Sequence, residues 1–154
     1  MKKLKMAAAM LLCCALLAGC QKAEIDRSSP VEGAPEEIAG LCIEVTSATP
    51  TCVAYSICAT EGPVYYEGHW FALIEKKEEG IWYPLKTKDF ASTADFQIGE
   101  VPAEPEKHLL QVKEFYPGSL EKGEYRLAAL CFASLEDLRK MENGVTVVME
   151  FTVE

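Results

Sequence analysis

Cysteine is the most reactive residue type in this chain, and its seven copies fall into groups. Cys13 and Cys14 lie inside an uncharged apolar run, and Cys20 follows that run directly. Cys42, Cys52, Cys58 and Cys131 stand in the body of the chain. An even number of thiols in an exported protein invites disulfides. If Val45 lies opposite Tyr55 and Ile43 opposite Ile57, then Cys42 lies opposite Cys58, where a bridge has to be considered. The other reading is two reduced cysteines that pack as small apolar residues. A zinc site needs four ligands in tetrahedral reach. The cysteines show no C-x-x-C spacing, and His69 and His108 are the only histidines, so no metal or cofactor is expected.

Carboxylates are plentiful, among them Glu75, Glu78, Glu79, Glu104 and Glu106. Paired carboxylates can hydrolyse glycosides and clusters can bind calcium. Here they lack the Asp-rich calcium loop and read as a solvated acidic face. The sequence also lacks a nucleophile elbow, a phosphate loop and a dinucleotide fingerprint, so no catalytic residue is assigned. Trp70, Phe71, Trp82 and Tyr83, with Tyr65 and Tyr66, concentrate in one third of the body. Aromatics in such numbers serve a core, or a binding patch for a protein or glycan.

The elements that would carry these residues are strands. Leu41, Ile43 and Val45 alternate with Cys42, Glu44 and Thr46, and Val53, Tyr55 and Ile57 alternate after a turn at Ser47 to Pro50. Period two with β-branched and aromatic residues predicts half-buried strands, here joined as a hairpin. Further strands are predicted over 70–76, 81–85, 109–115, 125–132 and 145–153, with Pro84 marking an edge. Ser134 and Asp137 form a weak capping box ahead of Leu135, Leu138 and Met141, and Asn143-Gly144 should stop that short helix. About seven short strands with frequent turns predict an all-β sandwich of two sheets.

The N-terminus has a different character. Lys2, Lys3 and Lys5 precede an apolar stretch from Met6 to Ala18 that carries no charge. It is too short to span a bilayer comfortably, which takes about 20 apolar residues. A basic start, a short apolar run and small residues together read as a secretory signal over residues 1–19. Leu17-Ala18-Gly19-Cys20 resembles the lipobox of bacterial lipoproteins. The resemblance implies cleavage before Cys20, diacylglycerol on its sulfur and a further acyl chain such as palmitate. Each buried acyl CH₂ contributes ~0.8 kcal/mol, so two chains hold a protein firmly at a membrane. The formal charge of −9 includes the three leader lysines, so their removal leaves −12. Such a chain repels nucleic acid and anionic head groups, and it needs an anchor to stay at a membrane. Residues 20–39, with Ser28, Ser29, Pro30, Gly33, Pro35, Glu36 and Glu37, bury too little to fold and read as a flexible tether.

Within residues 40–154, Glu44-Val45-Thr46-Ser47-Ala48-Thr49-Pro50-Thr51, the run from Phe71 to Lys76 with Gly80-Ile81-Trp82-Tyr83-Pro84, and Leu120-Glu121-Lys122-Gly123-Glu124-Tyr125-Arg126 occur in that order. Together they resemble a bacterial immunoglobulin-like domain family common in Gram-positive surface lipoproteins. The resemblance implies an immunoglobulin-like sandwich and no common enzymatic activity. Leu127 stands where antibody domains have a cysteine, so their intersheet disulfide is not expected. Tyr125, near the start of the penultimate strand, fits a tyrosine whose hydroxyl bonds back to nearby backbone; a plain core tyrosine is the other reading. The expected function is a non-enzymatic binding module anchored to the outer face of the cell membrane. Its partners would be the membrane, through Cys20, and an envelope protein or glycan. An envelope enzyme, a solute-binding accessory with a loop-built site and a passive spacer are the alternatives.

Overall fold

A computed structural model describes residues 21–32, 35–67, 73–88 and 98–154. They form nine strands and two short helices, in the order β1 (Leu41–Thr49), β2 (Cys52–Ala59), β3 (Tyr65–Glu67), β4 (Leu73–Glu78), β5 (Ile81–Pro84), β6 (Ile98–Glu100), β7 (Glu106–Gln111), α1 (Val112–Phe115), β8 (Gly123–Phe132), α2 (Leu135–Lys140) and β9 (Val145–Val153). All strand pairings are antiparallel. One sheet is β1-β2-β7 and the other is built around β8. β9 covers one edge of β8 along its length, from Gly123 opposite Val153 to Cys131 opposite Val145. Successive stretches of the other edge pair with β4 and then β3, which are flanked by β5 and β6. With β3 and β4 counted as one strand line and their flanking strands β5 and β6 as the next, the first, second and fifth lines share one sheet. The fold is thus an all-β sandwich of two antiparallel sheets, as the alternation predicts.

Alternation decides which side chains meet between the sheets. Ile43, Val53, Tyr55, Ile57 and Leu110 of the first sheet pack with Ile74, Tyr125, Leu127, Ala129, Cys131 and Val153 of the second. The hairpin register places Val45 opposite Tyr55 and Ile43 opposite Ile57, as the alternation predicts, with an irregularity between Val45 and Ser47. Tyr116, 1% exposed, closes one end of the core. Its hydroxyl accepts the Ile74 N–H at 2.7 Å, and burial pushes its pKa up to about 12, so it stays neutral.

Several elements differ from expectation: β1 runs on through Ser47 to Thr49, where a turn was expected, and β3 and β6 are short strands that the alternation does not announce. The predicted strand over 109–115 ends at Gln111, because Val112 turns inward and donates its N–H to the Thr51 carbonyl. Val112–Phe115 is then a single helical turn that carries the chain to Tyr116. The helix before the last strand is present. Its Ser134 hydroxyl accepts the Asp137 N–H at 3.1 Å, and it ends at Met141 in the left-handed region (φ 53°), ahead of Asn143.

Tyr125 is 1% exposed, and its hydroxyl donates to the Glu121 carbonyl at 2.9 Å. It therefore latches the loop before β8 to the start of the strand, as in a tyrosine corner. Tyr125→Phe keeps the ring and removes that bond. It is expected to lower the unfolding free energy by about 1 kcal/mol. A shift in the urea midpoint at unchanged slope would read this directly, and an unchanged midpoint would remove the latch from the stabilising contacts.

Candidate functional site

The stretch expected to be a free tether is instead laid against the domain over residues 21–31. Backbone bonds fasten it at both ends. The Ala23 N–H donates to the Ser119 carbonyl at 2.8 Å, and the Ser119 N–H donates to the Gln21 carbonyl at 3.0 Å. Farther along, the Lys86 N–H donates to the Glu24 carbonyl, the Asp26 N–H to the Pro84 carbonyl, and the Val31 N–H to the Trp82 carbonyl. Between the last two, Asp26 folds the strap into a turn. Its carboxylate accepts the Ser28 N–H at 3.0 Å and the Ser28 hydroxyl at 2.6 Å, and these bonds lower its pKa. The strap docks because β5 is a sheet edge with backbone groups to satisfy, and because Ala23 and Ile25 pack against the core. Its composition alone conceals both reasons.

Ion pairs line the groove between strap and sheet, which encloses about 950 Å³. Lys22 pairs with Glu121 and Arg27 with Glu78. Lys76 reaches both Glu121 at 3.2 Å and Glu78 at 3.4 Å, and Lys86 reaches Glu24 at 3.1 Å. The hydrogen bonds from Lys22 and Lys76 lower the Glu121 pKa. Ligand pockets have mostly apolar walls with a few converging polar groups. This groove is instead a ladder of charges that satisfy one another.

The strap continues over the outer face of the second sheet. There Glu75 and Arg126, 6% and 5% exposed, form an ion pair through Arg126 Nε and Glu75 Oε2. The Arg126 guanidinium also sits 4.6 Å from the centre of the Trp82 ring, while Lys77 Nζ stands 5.4 Å from the same ring. Val31, Glu32, Pro35 and Glu36 face the ion pair across a cleft of about 340 Å³. This is why β8 is buried on both faces from Tyr125 to Ala129. Among the described residues, no buried side-chain polar atom lacks a hydrogen-bond partner.

The residues singled out in the sequence fall as follows. Cys20, Trp70 and Phe71 lie outside the described residues, as does His69. Trp82 and Tyr83 are half-buried, the first against Arg126 and the second with Arg27 5.9 Å from its ring centre. Cys42 and Cys58 are directly opposite across β1 and β2, both as thiols, the first exposed and the second buried. Burial, and then the neighbouring Cys42, raise the Cys58 pKa. Cys131 is fully buried, and its thiol is pushed up to about 12. His108 stacks on Tyr55 with ring centres 5.3 Å apart. Among the described residues, no group of histidines, cysteines and carboxylates is placed to hold a metal ion.

No family model, curated protein or solved structure matches this chain. Its site is therefore read from its own residues. Glu75, expected on a solvated acidic face, is instead buried against Arg126, and the roles of Arg126 and Ser119 were missed by sequence reasoning. A signal for Arg126 was present, since Leu127, Ala128 and Ala129 follow it without a polar residue, and such runs belong to strands buried on both faces.

Proposed function

We propose that this chain is a lipid-anchored extracytoplasmic protein whose immunoglobulin-like domain is a non-enzymatic binding module, of the kind carried by Gram-positive surface lipoproteins. The observation that carries the reading is Leu17-Ala18-Gly19-Cys20 at the end of a basic-then-apolar leader. Cys20 supplies the thiol for the thioether, and the small Ala18 and Gly19 fit the peptidase that cuts before it. The binding role draws on the site's chemistry. Glu75 and Arg126 hold each other, and the groove charges are paired, so these groups serve to fix a surface. The partner is an envelope protein or glycan that meets the aromatic third of the domain around Trp82 and Tyr83.

The anchor is tested by intact mass spectrometry of membrane-extracted protein. The expected species begins at Cys20 and carries a diacylglycerol and a further acyl chain, and Cys20→Ser should abolish acyl incorporation completely. A mature species that begins elsewhere without lipid would end the proposal. The binding role is tested by cross-linking on intact cells. One dominant neighbour, lost on Trp82→Ala and Tyr83→Ala, is the expected result. A neighbour indifferent to both changes would move the binding face elsewhere.

A further inference from the structure

We propose that the domain rests directly on the phospholipid head groups through the pole formed by Lys113 and residues 116–122, because the docked strap leaves no free spacer between lipid and fold. The inference rests on lipidation at Cys20 as proposed above. Gln21 is bonded to Ser119, and neighbouring Cα atoms are only ~3.8 Å apart across a peptide bond. A thioether on Cys20 is therefore held one residue from the loop that carries Gly118 and Ser119. Had residues 20–39 been free, they would have let the domain drift tens of ångströms from the bilayer.

Gly118 shows how closely the strap is seated. A Cβ at this position would lie 2.3 Å from the Lys22 carbonyl carbon and 2.5 Å from the Gln21 oxygen. Backbone is not free to yield by such amounts, so any side chain here must displace the strap. Gly118 has no left-handed backbone that alanine would strain, so the substitution acts on the seat itself. The chemistry of the pole suits a head-group layer. Lys22, Lys88, Lys113 and Lys122 are exposed around it in a chain that is acidic overall, and Lys88 is drawn in by bonds to the carbonyls of Phe115 and Lys113. The nearby Glu121 is paired with Lys22 and Lys76. α2 and the start of β9 lie at the other end of β8 and would face away from the membrane.

The experiment compares the native lipoprotein with its Gly118→Ala variant, both reconstituted in phosphatidylcholine vesicles. Intact mass first confirms the acyl groups on Cys20; their absence from the native protein would overturn the anchor and this inference together. Lysines are then acylated with a membrane-impermeant reagent and mapped by mass spectrometry. Lys113 and Lys122 are expected to react several-fold more slowly in the native protein than in Gly118→Ala, while Lys140 reacts equally in both. Amide exchange at Ala23, Asp26 and Val31, read on the same samples, reports whether the strap is seated. A lipidated native protein with those amides protected, but with Lys113 and Lys122 as reactive as Lys140, would overturn the inference and leave the anchor intact. Should Gly118→Ala fail to fold, this comparison within the native protein decides the matter alone.

Discussion

Arg126→Met is expected to destabilise the domain by about 3–5 kcal/mol, the usual cost of stranding one member of a buried ion pair. The substitution removes the guanidinium from Glu75 Oε2 and from the face of Trp82, and it leaves a carboxylate only 6% exposed with no cation beside it. Glu75→Met alone should cost a similar amount for the mirrored reason. The double variant is the informative one. Two well-packed apolar side chains in place of a buried pair are often neutral or stabilising, so most of the loss should return. Urea unfolding of all four proteins gives the coupling energy. Strict additivity of the two single losses would show that solvent already screens the pair.

Oxidation that joins Cys42 to Cys58 is expected to raise the unfolding free energy by about 3 kcal/mol, the chain-entropy value for a short closed loop. The register supplies the pair, since the two residues are direct partners across β1 and β2. Geometry sets the discount. Facing Cβ atoms in such a ladder are ~4.5–5.5 Å apart, whereas a disulfide holds them near ~3.8 Å, so part of the gain goes into drawing the strands together. Burial raises the Cys58 pKa, which leaves the exposed Cys42 as the thiol that an exchange partner meets first. Peptide mapping after mild oxidation should find Cys42 linked to Cys58, with an unfolding midpoint above that of the reduced protein. Cys42→Ala should abolish the difference. A map that pairs Cys42 with Cys52 instead would refute the assignment.

The sandwich was legible because its signals are local. The alternation in residues 41–46 and 53–58 fixed both the hairpin and the facing cysteines. Ser134 with Asp137 announced the helix before β9, and Gly123-Glu124-Tyr125 announced the latch onto Glu121. What stayed hidden depends on residues far apart in the chain. Arg126 alternates with Tyr125 and Leu127 as a solvent-facing residue would, and its burial comes from Trp82 and from the strap. Residues 21–31 are polar enough to read as a spacer, and it is the edge of β5, the Ser119 loop and the packing of Ala23 and Ile25 on the core that turn them into structure. Gly118 reads as an ordinary turn glycine after Pro117, although its missing side chain is what admits the strap.

The strap also imposes an order on assembly. A chain is made from its N-terminus, yet the Ser119 hydroxyl that reaches the Gln21 carbonyl comes 98 positions later. Residues 24–31 must therefore wait for β5, and residues 21–23 for the loop before β8. Contacts across so wide a separation close slowly and late. The first of the described residues to emerge are thus fastened only after partners much later in the chain have followed, and until then β5 remains an open edge to which a neighbouring chain can pair.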